Sequence, residues 1–321
     1  MAKTPKHHRK PSNPAPISTP PSAFDRAIDD LRRHPQAFPN VSPRWLAGAA
    51  AVAILAALTC AWLTLCLLYW QGSWQLLYHP KAAISSTPAS LGIPYEPIHF
   101  AVTETGTTQL TGWWIPDPEG KRTVLLLHGA YGNLSDTLNT IAQLHRQHLS
   151  IFAIDYRGYG QSLPAKPTEK SLHQDAEWAL SWLTITRNLP AESILVYGTG
   201  LGANLAAELA SEPASIHSQL AGAILDQPSD QIMAPVFNDP RSHIVPAHWL
   251  VKDRYDLTAA ATKLQIPSLW LFSESKSSQS SPANKSYQAT PTQKSSAWLK
   301  PPIATDPHFA EILRRWLDDL A

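Results

Sequence analysis

The stretch that decides the fold is ILVYGTGLGANLAAELA, residues 194–210. It opens with a short continuous apolar run, as expected for a strand covered on both faces. A tight turn follows, Gly198-Thr199-Gly200-Leu201-Gly202, and then Ala/Leu-rich sequence with strong helix propensity. Strand, sharp glycine turn and helix therefore lie within 17 residues. Two earlier segments have a related form. LLLHGAYGN (125–133) carries an apolar run into His-Gly and a glycine-containing turn, and DYRGYGQS (155–162) follows the apolar run IFAI.

Working outward, short apolar runs alternate with helical patterns from about residue 95 onward. Strands are expected over 97–103, 110–115, 123–128, 150–155, 193–197, 222–225, 268–272 and 297–299. Between them, Leu134, Leu138, Ile141 and Leu144 share one helical face, as do Leu172, Ala176, Ala179 and Leu183. A last helix is expected to open with Asp306 as cap and Pro307 in its first turn, followed by the apolar residues Phe309, Ile312, Leu313, Trp316 and Leu320. This alternation predicts an α/β domain with a mostly parallel central sheet and helices on both faces. The segment SKSSQSSPANKSYQATPTQKSS (275–296) breaks the rhythm and reads as a long flexible loop with at most a weak helix.

Before the domain, residues 46–70 form an uncharged run, LAGAAAVAILAALTCAWLTLCLLYW, bracketed by Trp45, Tyr69, Trp70 and Trp74. A membrane helix needs about 20 such residues, with aromatics at its interfaces. The expected organisation is a disordered, basic, Pro-rich tail over 1–44, a transmembrane helix over 45–70 and the α/β domain over 71–321. Residues 1–45 hold Lys3, Lys6, Arg9, Lys10, Arg26, Arg32, Arg33 and Arg44 against Asp25, Asp29 and Asp30, with a short helix expected near 22–34. The positive-inside rule then places the N-terminus in the cytoplasm and the domain on the non-cytoplasmic side of a single-pass protein. Net charge is +1, so no nucleic-acid partner is indicated. The only cysteines, Cys60 and Cys66, lie in the apolar run, which excludes a disulfide framework elsewhere. No cofactor or metal motif is present, and none is expected.

The three glycine-containing segments, in this order, resemble the membrane-anchored α/β-hydrolases of the serine-aminopeptidase-like group, with their HGNxGN, DYRGYGxS and YGxSLGG motifs. LLYHPK (76–81) and LTGWWIP (110–116) extend the resemblance, which runs from about residue 72 to the C-terminus with gaps near 275–300. It implies the α/β-hydrolase fold, with a serine nucleophile at the centre of a G-x-S-x-G elbow, a histidine base and an orienting acid.

At that central position the sequence has Gly200, which carries no nucleophile. Thr199 is adjacent, but a neighbour on such a turn should point elsewhere. The resemblance puts the acid at Lys276, a residue of the wrong charge, with Glu274 and Asp226 as strand-end substitutes. It puts the histidine at His308, a relic position next to the expected helix start. His243 and His248, on a lid-like segment over 231–251, read as surface residues, and His128 reads as structural. The oxyanion side is better kept, with Ala130 and Leu201 offering backbone N–H groups to a carbonyl or carboxylate. The leading expectation is a membrane-tethered, catalytically inactive pseudohydrolase that binds a small acyl-type ligand or a protein partner. The alternatives are an active esterase or peptidase-like enzyme with a displaced nucleophile, and a structural envelope interaction protein.

Overall fold

The structure is a computed structural model that describes residues 22–33, 41–103, 106–212, 220–274 and 284–320. Contacts divide the chain into residues 1–60 and 61–321. The first unit holds the helix Ala23–Arg33 and the opening turns of a 30-residue helix, Pro43–Gly72. Ser22 and Asp25 close a capping box on the former: Asp25 N–H donates to Ser22 Oγ and Ser22 N–H to Asp25 Oδ2, each at 3.1 Å. Residues 1–21 of the expected tail lie outside the described residues. The long helix is the one among the described residues that is long and apolar enough to cross a membrane, with a mean hydropathy of 2.4.

The second unit is built on eight strands: β1 (Glu96–Val102), β2 (Thr108–Ile115), β3 (Arg122–Leu127), β4 (Leu149–Asp155), β5 (Ile194–Thr199), β6 (Gly222–Asp226), β7 (Ser268–Ser273) and β8 (Lys294–Leu299). They form one sheet in the order β8-β7-β6-β5-β3-β4-β2-β1. Only β1–β2 and β2–β4 pair antiparallel; every other neighbour is parallel. The apolar runs are continuous because each strand serves two cores. In β3, Leu125 and Leu127 face the core shared with helices Glu169–Ser181 and Leu201–Ser211, while Val124 and Leu126 face the core shared with Leu138–His145 and Phe309–Asp319.

Two expectations need correction. The part of the 275–296 segment that is described is ordered, with a helix at Asn284–Ala289 and β8 beginning at Lys294. As an edge strand, β8 needs few apolar residues. Its backbone pairs with β7, and Lys294 Nζ donates to Gln288 O and Thr290 O at the end of the preceding helix. Tyr287 packs edge-on against Trp270 and Phe272, anchoring that helix. The last helix opens at Phe309 rather than at Pro307, because Ile303–Thr305 forms a separate 3-10 turn that ends at Asp306.

The turn after β5 is set by two close approaches. A Cβ on Gly198 would lie far inside contact distance of Gly202 O, and a Cβ on Gly202 far inside contact distance of Leu127 O and His128 O. The helix Leu201–Ser211 thus begins in backbone contact with β3 and β5. Gly200, between them, has φ +57° and ψ −114°, but a Cβ there would meet nothing within 4 Å. Its cost to a side chain is conformational rather than steric. Gly198→Ala and Gly202→Ala are therefore expected to lose about 3 kcal/mol or more, at the top of the overpacking range. Gly200→Ala should lose only about 1–2 kcal/mol, the cost of a sparsely populated backbone conformation. Denaturant unfolding of the detergent-solubilised chain checks this ordering, and equal losses at all three positions would contradict it.

Candidate functional site

Gly200 opens onto a cavity of about 380 Å³ at the carboxyl ends of β3 and β5. His128, Ala130, Thr199 and Leu201 line it, as do Ile232 and Pro235. The latter two belong to the segment after β6, which is made of short helical turns at Ala234–Phe237, Pro240–His243 and Ala247–Leu250. Ile232 and Pro235 thus bring part of the 231–251 segment to the cavity wall.

The elbow is pinned through its backbone. Gly200 N–H donates to Asp226 O at 2.7 Å, and Gly200 O accepts from Ala203 N–H at 3.0 Å. Asp226 is 3 % exposed, and its carboxylate accepts from Tyr197 Oη at 2.9 Å, while Thr199 Oγ1 lies 3.5 Å away. Burial pushes Asp226 up to about 6, against the opposing hydrogen bond from Tyr197. Thr199 thus directs its hydroxyl toward Asp226 in the sheet. Ala130 and Leu201 line the cavity together, and Tyr159 Oη holds the Ala130 carbonyl at 2.9 Å.

Among the described residues, neither His308 nor Glu274 lines the cavity. His308 is the N-cap residue of the last helix, 75 % exposed in its side chain, and is absent from the cavity lining. Its Nδ1 lies 3.1 Å from Asp306 Oδ1. Asp306 also accepts from Lys300 N–H and His308 N–H, which hold its carboxyl below the usual range. Glu274 is exposed just beyond β7. Lys276 lies outside the described residues. His243 and His248 are exposed, and His248 stacks on Phe237 at 4.3 Å.

His128 is the histidine that does line the cavity, and its chemistry is already committed. Its Nδ1 lies 2.7 Å from Gly129 O and so carries the proton. Its Nε2 is shielded from solvent and lies 3.5 Å from Asp155 Oδ1. Burial between Tyr156 and Tyr159 pushes the imidazole down to about 4, and burial pushes Asp155 up to about 7. The pair is thus neutral as a base, with Asp155 inclined to keep a proton.

Sequence reasoning left LLYHPK without a role. Its His79–Pro80 pairs in parallel with Tyr131–Gly132, and the His79 and Tyr131 rings stack at 4.4 Å. Asn133 Nδ2 donates to Lys81 O and Ala83 O. The segment therefore straps the His-Gly loop from outside. His173, Glu177 and Glu212 also bring three ligand-type atoms within 4.8 Å of one another, away from the cavity. Within that grouping His173 Nε2 lies 3.1 Å from Glu212 Oε1.

Comparison with known proteins agrees with this architecture. The family model described as alpha/beta hydrolase fold matches residues 122–296. An uncharacterized protein of Mycobacterium tuberculosis is 33 % identical over 148 residues, which is 44 % of this chain and 50 % of that protein. An uncharacterized membrane protein of Saccharomyces cerevisiae is 34 % identical over 127 residues, 39 % of this chain and 44 % of that one. The chain thus spans half or less of the length of these relatives. Among solved structures, an esterase of Pyrococcus furiosus superposes with a TM-score of 0.53 at 19 % identity, covering 76 % of this chain and 96 % of that one. An alpha-beta hydrolase of Vibrio vulnificus gives a TM-score of 0.56 at 20 % identity over 72 % and 81 % of the two chains. At these identities the structural likeness shows the fold.

The shifted acids make stability depend on pH with a defined sign. Asp155 and Glu208 titrate near 7 and 8 in the folded chain, both raised by burial, and Glu208 also by the neighbouring Glu169. A folded acid whose pKa lies above its unfolded value keeps a proton that the unfolded chain has lost. Its contribution is present at low pH and is lost as pH rises through the folded value. Asp175 and Asp226, both near 6, act the same way at lower pH. His128 opposes them only between about 4 and 6.5, where the unfolded chain takes up a proton that the native ring refuses. The unfolding midpoint is therefore expected to fall from pH 6.5 to pH 8.5, and Glu208→Gln should flatten that fall. A rising midpoint in a thermal scan across this window would reverse the assignment.

Proposed function

The chain belongs to the α/β-hydrolase fold family, and within it we propose a member that is held at a membrane by its apolar helix and binds, rather than cleaves, a small acyl-type ligand. The observation that carries this reading is Gly200, which faces a cavity with open space where the family's nucleophile would stand. A serine there would need a base. His308 is turned out to solvent beside Asp306, and His128 is neutral, with Nδ1 bound to Gly129 O. Losing nucleophile and base together leaves at most the modest catalysis of an oxyanion site.

What remains suits binding. The amides of Ala130 and Leu201 border the cavity, and Leu201 begins an 11-residue helix whose N-terminus favours a carbonyl oxygen or carboxylate. Leu77, Ile232 and Pro235 supply an apolar wall for a short acyl chain. The long apolar helix supports membrane attachment, and one relative carries the name of a membrane protein. The basic residues before that helix favour a cytoplasmic N-terminus, with the domain across the membrane. The competing reading is a hydrolase with Thr199 as displaced nucleophile, and the name of the Pyrococcus furiosus esterase is in keeping with it.

The two readings separate in one experiment on the detergent-solubilised full chain. Turnover of p-nitrophenyl butyrate and labelling by a fluorophosphonate are expected to stay at background for the native chain and for Gly200→Ser alike. Octanoate is expected to raise the thermal midpoint of both. Native turnover that Thr199→Ala abolishes would establish the displaced nucleophile instead.

A further inference from the structure

The lid does not rest on the domain alone. From Trp62 onward, one side of the long apolar helix is packed on it. Trp62 Nε1 donates to Ile244 O at 2.9 Å, and Tyr69 Oη donates to Val236 O at 2.7 Å. Cys66 and Tyr69 on the same side are buried. The helix's other side is bare: Leu63, Leu67, Leu68 and Trp70 are each more than half exposed. The lid continues this bare surface with Ile244, 60 % exposed, and Trp249, 87 % exposed.

We infer that lipid covers this surface, and that the segment Ala234–Leu250 is a membrane-inserted lid with Ile244 and Trp249 in the bilayer. The inference rests on the proposal that the helix lies in a membrane. A helix rises 1.5 Å per residue, so Trp62 stands about 12 Å along the axis from Trp70. Ile244, bonded to Trp62, stands at the same level. A bilayer that covers Leu63 and Leu67 therefore reaches the lid as well.

The polar groups fit that setting. Trp62 N–H and Ile244 C=O satisfy each other, as groups removed from water must. Arg241 is held by both oxygens of Asp239, at 2.8 and 3.0 Å, the paired form in which a guanidinium tolerates poor hydration. Lys166 lies 5.9 Å from the centre of the Trp70 ring and 3.4 Å from the carbonyls of Trp70 and Gln71. That pairing of lysine and tryptophan is typical of the headgroup layer. Headgroups at Trp70 and Lys166 leave Ile244, which is bonded to Trp62, on the apolar side.

The test uses the full chain with Cys60→Ala and Cys66→Ala, carrying single cysteines labelled with the fluorophore NBD. Ile244→Cys and Trp249→Cys report the lid, Leu58→Cys reports the helix, and Ile185→Cys reports an exposed position away from the lid. Each is reconstituted into phosphatidylcholine–phosphatidylglycerol vesicles, after its thermal midpoint has been matched to the native chain. The lid labels and the Leu58 label are expected to lose most of their emission to doxyl-labelled lipid and little to iodide, with the reverse at Ile185. Two lid positions guard against one variant misfolding. Lid labels that behave like Ile185 while Leu58 is quenched by lipid would overturn the inference and leave the anchor standing. Protection from both quenchers would mean that protein covers the lid, which also overturns it. Loss of lipid quenching at Leu58 as well would remove the membrane reading itself.

Discussion

The helix that follows β5 starts in backbone contact with two strands, and that contact is possible only because Gly198 and Gly202 have no side chains. The approach fixes where the helix N-terminus lies, and so where the Leu201 amide lies. It also fixes the backbone of Gly200, whose N–H is held by Asp226 O at the end of β6. The cavity, the lining residues Ile232 and Pro235 and the opposing amide of Ala130 are all arranged around this point. The turn therefore persists as architecture whether or not its central residue carries a reactive group. Gly200 relieves the cost of the positive φ without filling the space above it.

The fold was largely legible because burial on both faces of a parallel sheet writes itself as continuous apolar runs. All eight expected strands are present, with ends shifted by a few residues. The exception is instructive. β8 reads KSSAWL, and its polar first half gave no period, since an edge strand is held by backbone pairing rather than by apolar side chains. The last helix began late for a similarly local reason: a 3-10 turn used up the residues that looked like its cap. Of the site, the sequence showed which residues stand at the motif positions, Gly200 and His308 among them. Its connections were not legible. The bond from Trp62 to Ile244 joins positions 182 apart, and no window along the sequence contains both.

The motifs themselves carry a different lesson. HGAYGN and DYRGYGQS are two halves of one lock. Asp155 accepts from Leu134 N–H at 3.0 Å, Ser162 Oγ donates to Asp155 O at 2.6 Å, and Tyr156 Oη donates to His128 O at 3.0 Å. LLYHPK closes the assembly, because Lys81 O accepts both from Gly160 N–H and from Asn133 Nδ2. Three segments that look like signatures of chemistry are thus bonded to one another as signatures of structure.

This matters for judging what the cavity does. Polar side chains that line it already hold the backbone in place. His128 Nδ1 is bound to Gly129 O, and Asn133 spans Lys81 O and Ala83 O. Asp136 accepts from Asn133 N–H, Thr137 donates to Leu134 O, and Thr199 faces Asp226. His128 Nε2 is the exception, because it has no hydrogen-bond partner among the described residues and lies 3.5 Å from Asp155 Oδ1. Tyr131, Thr140, Ala130 and Leu201 also line the cavity. Such a cavity, with Leu77, Ile232 and Pro235 on its apolar side and the start of the helix Leu201–Ser211 at its edge, has its shape set by the same bonds that hold its loops together.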